Sequence, residues 1–210
     1  HLPPMSSPLP TPGTAQPIVG APRDASCRKT IAVIKNKLAG LSRLRGRRML
    51  DVGCGDGSFT LPVGEHFQEV HGIDVQEDWL AQFRRRVTGD PRFTVTAMSA
   101  SAMTYPDAHF DTLVTIETIE HIADLPRAAA EMFRVLRPGG ELLLTCPNRW
   151  FPFENHGIRI GGREYSRRIP LLPYLPPLHD RFSLAGVFTV RTLDRIFGGA
   201  GFRRVRVDYA

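Results

Sequence analysis

Along most of the chain, short apolar runs alternate with stretches of helical periodicity. Met49, Leu50 and Val52 form the first run and predict a strand that ends at Gly53. Residues 58–66 read as a helix and 70–73 as a second strand, followed by a helix over 77–88 with Trp79, Leu80 and Phe83 inward. A third strand is expected over 93–97 and a fourth over 110–116. Asp124 suits the cap of a helix opening at Leu125-Pro126, because proline is favoured in a first turn. That helix is expected to bury Ala129, Met132, Phe133 and Leu136, and to stop at Arg137-Pro138-Gly139-Gly140 before a fifth strand over 141–145. A helix over 189–201 and a strand over 202–209 close the chain. Strands and helices in this alternation predict an α/β fold, a doubly wound and mostly parallel sheet in a three-layer α/β/α sandwich.

Two stretches fall outside that rhythm. Residues 1–25 hold seven prolines and no apolar periodicity, which predicts a disordered or extended arm, with Met5 expected as the natural start. From Ser26, the spacing of Ile31, Ile34 and Leu38 predicts a helix ending at Gly40, so the folded domain is expected over 26–210. Residues 147–188 mix six prolines with Trp150, Phe151, Phe153, Tyr165, Tyr174 and Phe182. An insertion of that length and aromatic content is expected to form a lid or cap over a pocket. Its run Leu171-Leu-Pro-Tyr-Leu-Pro-Pro-Leu also offers a surface for a partner chain or for peripheral membrane contact.

Composition narrows the class. With 210 residues, 42% of them hydrophobic, the chain suits one globular domain with a continuous core. No apolar run approaches a membrane span, and Cys27, Cys54 and Cys146 are scattered and odd in number, which predicts a cytoplasmic, reducing setting. The net charge of +6 is carried mainly by arginines spread in pairs, so a solvated basic surface is preferred to a nucleic-acid track.

Candidate chemistry starts at Asp51-Val-Gly53-Cys54-Gly55-Asp56-Gly57, where a strand turns into a helix. Glycines there let the backbone bend and let a ligand approach the amides, a feature common to nucleotide-type sites on doubly wound sheets. Asp51 and Asp56 would repel a pyrophosphate but attract a ligand with an ammonium and a sulfonium, and Ser58 stands where a dinucleotide fingerprint has its third glycine. S-adenosylmethionine is such a ligand. The stretch resembles motif I of the class I S-adenosylmethionine-dependent methyltransferases, an acidic-x-G-x-G-x-G pattern. Residues 134–144, Arg-Val-Leu-Arg-Pro-Gly-Gly-Glu-Leu-Leu-Leu, resemble the post-core motif of the group that includes the quinone-biosynthesis methyltransferases.

Asp74 closes the second strand 21 residues after Gly53, where a carboxylate accepts hydrogen bonds from ribose hydroxyls; the alternative is a cap for the helix that follows. The resemblance also implies cofactor contacts from Val75 and Ile116 and an adenine contact in the loop before the fourth strand. Aligning on Tyr105-Pro106-Asp107 puts Ser99 where the family usually has aspartate, a departure that leaves the base to Ser99 and the backbone at Ala100.

Past the fourth strand lies Glu117-Thr-Ile-Glu120-His121, at the sheet edge where the crevice of such folds opens. If helical, it presents Glu117, Glu120 and His121 on one face. His121 suits a general base for an acceptor hydroxyl. Alternatively, the three bind a divalent cation that lowers the hydroxyl's pKa, or they merely fix the loop. E-x-x-E-H resembles the ubiquinone-pathway O-methyltransferases and the small-RNA 2′-O-methyltransferases, whose metal sites add a histidine after the fifth strand; His156 and His179 are the candidates here, and neither matches the spacing cleanly. Arg149 is a candidate partner for an acidic substrate group, or a surface arginine.

The resemblance therefore implies methyl transfer from S-adenosylmethionine to a small or lipid-like acceptor, on oxygen in preference. Methylation of a quinone-type ring carbon, or of an RNA 3′ end, is the alternative; a non-enzymatic module that keeps the fold is a third. The family's antiparallel partner for 202–209 has no sequence left to form it, so either the chain is truncated, which is the preferred expectation, or its sheet edge is completed in another way.

Overall fold

A computed structural model describes residues 46–165 and 169–209. The arm expected over 1–25 and the helix expected over 26–40 lie outside the described residues. Five strands form the central sheet: β1 (Gly46–Val52), β2 (Phe67–Asp74), β3 (Phe93–Ala97), β4 (Phe110–Ile116) and β5 (Leu136–Thr145). Their order is β3-β2-β1-β4-β5, and every pairing is parallel. The direction of winding reverses between β1 and β4, and ligands of doubly wound sheets bind at the carboxyl ends of such a pair.

Parallel strands need crossovers, supplied here by α1 (Thr60–Gly64), α2 (Glu77–Arg86) and α3 (Leu125–Val135), with α5 (Val190–Gly199) packed beside α3. Side chains alternate along each strand, so the two faces collect different sets. In β1, Leu50 and Val52 join a core with α3 and with Phe197 of α5, whereas Met49 faces Val63 and Phe67 with α1. All seven residues of β4 are buried, as expected for a strand covered on both faces. Asp111 opens β4 and ties the sheet's lower edge: its Oδ2 accepts the N–H groups of Arg47 and Arg48 at 2.6 and 2.7 Å, and it pairs with Arg137.

Several expectations need correction. The helix expected over 58–66 is reduced to one short turn, because β2 begins at Phe67 and the glycine turn extends to Phe59. Strand β5 begins at Leu136, opposite Phe110, and jumps in register to pair Glu141 with Thr112; the Pro-Gly-Gly stretch is therefore an irregularity within the strand. Phe133, expected inside, is 45% exposed, one position round the helix from the buried stripe of Ala128, Ala129, Met132 and Val135. It packs instead against Phe202, with ring centroids 5.2 Å apart. Residues 202–209 form no strand; Val205 is 90% exposed, and among the described residues the segment has no sheet neighbour to bond. Their alternating apolar residues have the strand pattern without a partner edge.

The insertion over 147–188 forms β6 (Phe153–Glu154) paired with β9 (Ile169–Pro170), a hairpin of β7 (Ile158–Ile160) and β8 (Arg163–Tyr165), and the helix α4 (Pro176–Phe182). It is fastened at its roots, where Phe188 exchanges backbone hydrogen bonds with Pro147 and Arg149, and Gly186 N–H donates to the Glu120 carbonyl at 2.9 Å. No helix among the described residues is long and apolar enough to cross a membrane.

Candidate active site

The turn after β1 is built on backbone that only glycine adopts readily. Gly53, Gly55 and Gly57 have φ of 81°, 52° and 79°. Two of them also admit close neighbours. A Cβ on Gly53 would lie 2.1 Å from Cγ2 of Thr118, and one on Gly57 would lie 2.3 Å from the Phe83 ring. Gly55 differs, with nothing within 4 Å of that position; it lines the cleft together with Gly53.

The cleft has a volume of about 390 Å³ and opens at the carboxyl ends of β1, β2 and β4, a size suited to a nucleoside ligand. Asp74 lies on its wall. Its Oδ2 accepts the Gly55 N–H at 2.9 Å and its Oδ1 the Gln76 N–H at 3.0 Å, while the N-cap of α2 is Gln76, with no side-chain cap. Capping α2 is thus not what holds Asp74. Val75, Ser99 and Ala100 also line the cleft, as do Trp79 (half-buried rather than inward), Met98, Thr118 and Ile122, which the sequence reading did not assign to the site.

Asp51, Cys54, Gly57 and Ile116 sit behind this wall rather than on it. Asp51 is buried on the α1 side, where its Oδ2 accepts the Thr60 hydroxyl at 2.6 Å and so joins strand to helix across the turn. Cys54 packs with Leu80 and Phe83, and burial pushes its thiol well above the ordinary range.

The acid–histidine stretch does not form a helix. Glu117 directly follows β4 with φ of 48°, a left-handed backbone that costs about 1–3 kcal/mol in a non-glycine residue and is characteristic of functional sites. Its N–H donates to the Thr145 carbonyl at 3.1 Å and its carboxylate accepts the Thr145 hydroxyl at 2.8 Å. Only Ile119–His121 forms a single 3-10 turn, so Glu117, Glu120 and His121 do not share a helix face. Glu117 and His121 line the cleft, whereas Glu120 turns inward.

His156 comes to Glu120 from the insertion. One ligand atom from each of Glu120, His121 and His156 lies within 4.8 Å of the others, an arrangement able to hold a metal ion. Both carboxylate oxygens of Glu120 are buried without a hydrogen-bond partner. Burial, reinforced by the nearby Glu117 charge, raises its pKa to about 8. Burial likewise pushes His121 down to about 4, with His156 contributing. His156 is shifted upward, chiefly by its hydrogen bond to Glu154. His179, the other candidate after the fifth strand, is buried behind this cluster with its Nε2 2.7 Å from Oε2 of Glu154. Arg149 lies outside the cleft and pairs with Asp180 at 3.5 Å within the insertion.

Comparison with known proteins agrees with the fold and the turn. Residues 50–144 match a family described as a methyltransferase domain. A demethylmenaquinone methyltransferase of Symbiobacterium thermophilum is 31% identical over 186 residues, covering 78% of this chain and 70% of that protein. A ubiquinone biosynthesis O-methyltransferase of a Bradyrhizobium species is 30% identical over 148 residues, 70% of this chain and 55% of that one. Further curated relatives are matched over 41% to 61% of their own length, so the chain spans about half of most of them. Among solved structures, the YcgJ protein of Bacillus subtilis superposes with a TM-score of 0.62 at 21% identity, over 80% of this chain and 68% of that one, and this likeness speaks for the fold alone. With its parallel five-stranded sheet, its three left-handed glycines and a relative aligned over 70% of its length, this chain belongs to the class I S-adenosylmethionine-dependent methyltransferase family.

Proposed function

We propose that this chain methylates a hydroxyl oxygen of a small or lipid-like acceptor, using S-adenosylmethionine as donor and a divalent cation held by Glu120, His121 and His156. The bound donor supplies an electrophilic methyl on a sulfonium. Residues of the cleft are compatible with it: open space at Gly55 gives room beside the backbone, Asp74 on the wall has carboxylate oxygens that would suit ribose hydroxyls, and Ser99 and Ala100 line the part assigned here to the base. Much of the rate of a displacement comes from holding the two reactants at close range and in line, which rigid strand ends do well.

The observation that carries the oxygen reading is Glu120. A buried carboxylate with neither oxygen partnered is costly unless something compensates it, and two imidazole nitrogens within reach complete a ligand set. A cation there would lower the pKa of an acceptor hydroxyl. His121 is better suited to ligate than to act as base. Held down to about 4, its imidazole is neutral at pH 7 with a free lone pair, yet it gains little by accepting a proton. The lipid-like part of the reading draws on Leu171, Tyr174, Leu175 and Leu178, exposed at i, i+3, i+4 and i+7 across the turn into α4.

Methylation of a quinone-type ring carbon is the second reading, favoured by the similarity to the demethylmenaquinone methyltransferase. One experiment separates them. Transfer of labelled methyl to catechols, phenols and isoprenoid quinols is followed with and without chelator, and the product is identified by NMR. An O-methyl product that chelator abolishes and Mg²⁺ or Mn²⁺ restores is expected. Full activity in chelator removes the cation, and a C-methyl product decides for the second reading.

A further inference from the structure

Glu154 is a buried carboxylate of the insertion, 1% exposed in β6, and it is opposite in character to Glu120, which lies in the turn after β4. Glu120 has no hydrogen-bond partner, whereas Glu154 has four. Its Oε1 accepts the His156 backbone N–H at 2.7 Å and faces His156 Nδ1 at 3.3 Å. Its Oε2 lies 2.7 Å from His179 Nε2 and accepts the Ser183 hydroxyl at 2.9 Å. A carboxylate has about four lone-pair sites, so this one is saturated. Burial alone would raise its pKa, but the donors outweigh that and hold the carboxyl well below the usual range.

The two oxygens serve two different parts of the molecule. Oε1 grips the residue that reaches Glu120, with His156 Nε2 3.9 Å from Oε1 of Glu120. Oε2 grips α4 and the segment after it, through His179 and Ser183. A neutral histidine whose Nδ1–H donates a hydrogen bond to a carboxylate carries its lone pair on Nε2, and that pairing fixes the plane of the ring as well.

We propose that Glu154 is a positioning residue: one oxygen sets the tautomer and orientation of His156 toward Glu120 and His121, and the other locks that setting to the fold of the insertion. Its effect on metal affinity rests on the cation reading above; its effect on the ring does not. Glutamine is the informative replacement, because an amide has one acceptor oxygen and cannot receive donors on both sides.

The test uses the chain with S-adenosylhomocysteine bound, comparing wild type with Glu154→Gln and Glu154→Asp. Cobalt(II) titration is read by visible absorbance, and imidazole ¹⁵N–¹H correlation spectra of the cobalt-free protein are assigned with His156→Asn. Glu154→Gln is expected to weaken cobalt binding about 10- to 100-fold, with the product's affinity unchanged. It is also expected to shift His156 from the Nδ1–H form to a mixture of tautomers. Glu154→Asp, which keeps the charge but retracts it, should move both readouts in the same direction and stands in if the glutamine variant does not fold. Cobalt affinity within twofold of wild type in a folded variant overturns the proposal. If the wild type binds no cobalt, the cation reading fails by itself, and the spectra decide: a shifted His156 tautomer sustains the positioning role, and identical spectra overturn it.

Discussion

Asp74 and Gly55 are joined across the mouth of the cleft, the carboxylate Oδ2 accepting the glycine N–H at 2.9 Å. The end of β2 is thereby tied to the turn after β1, and the carboxylate is held on the cleft wall, where the proposed reading puts the ribose. Asp74→Ala should weaken S-adenosylhomocysteine binding at least tenfold by calorimetry, with a smaller change in denaturation midpoint. Unchanged affinity would leave Asp74 as an anchor of the turn alone.

Gly53 and Gly55 are expected to fail in different ways. Alanine at 53 meets Thr118 at 2.1 Å with φ of 81°, so steric clash adds to strain, and a loss of about 3 kcal/mol is expected in urea denaturation. Alanine at 55 meets nothing within 4 Å and carries mainly the left-handed penalty, roughly 1–2 kcal/mol. Its methyl group stands on the cleft wall, so product affinity should fall more than stability does. The reverse ranking would contradict this picture of the turn.

Glu120 makes the metal-free chain sensitive to base. Its carboxyl is raised from 4.5 to about 8, so between those values the folded state keeps a proton that the unfolded state has released. Stability therefore falls as pH rises through that window, by on the order of a few kcal/mol in total. His121, lowered from 6.5 to about 4, acts in the opposite sense below pH 6.5, and the upward shift of His156 acts with Glu120. In chelator, Glu120→Gln should flatten the decline between pH 6.5 and 8 and be the more stable protein at pH 8.5. Denaturation curves at several pH values check this, and an unaltered slope would mean that Glu120 is not buried in solution.

Arg134 holds the loop that carries Ser99 and Ala100. It donates to the carbonyls of Tyr105 at 2.7 Å and Met103 at 3.0 Å while pairing with Glu131 and Asp107. Lysine lacks the planar fork needed for these contacts together. Arg134→Lys should cost about 1 kcal/mol and speed amide exchange in the loop over 98–109, with β1 and β4 unaffected. Equal protection in both proteins would remove the clamp.

How far the sequence could be read follows from the kind of signal each part carries. The sheet was legible because β1 and β4 are apolar runs, and the glycine turn because three left-handed residues at alternate positions leave a plain mark. The strand expected over 202–209 had the right alternation, but pairing needs a second strand, and alternation alone does not show whether one is there. Phe133 misled because it lies one residue from a real stripe. The meeting of Glu120 with His156 was the hardest part. It depends on the path of an irregular segment with no periodicity, so sequence reasoning left His156 and His179 equal. It also passed over Glu154, whose signal was a carboxylate two residues before a histidine in a stretch with few other acids. Burial separates the two histidines, putting His179 behind the cluster and His156 at it.

The most direct measurement is calorimetric titration of the chain with S-adenosylhomocysteine, beside NAD⁺ and ATP as phosphate-bearing competitors. Saturable one-to-one binding of the phosphate-free nucleoside, with neither competitor displacing it, is the expected result. No heat with S-adenosylhomocysteine, or tighter binding of a dinucleotide, would contradict the account at its root.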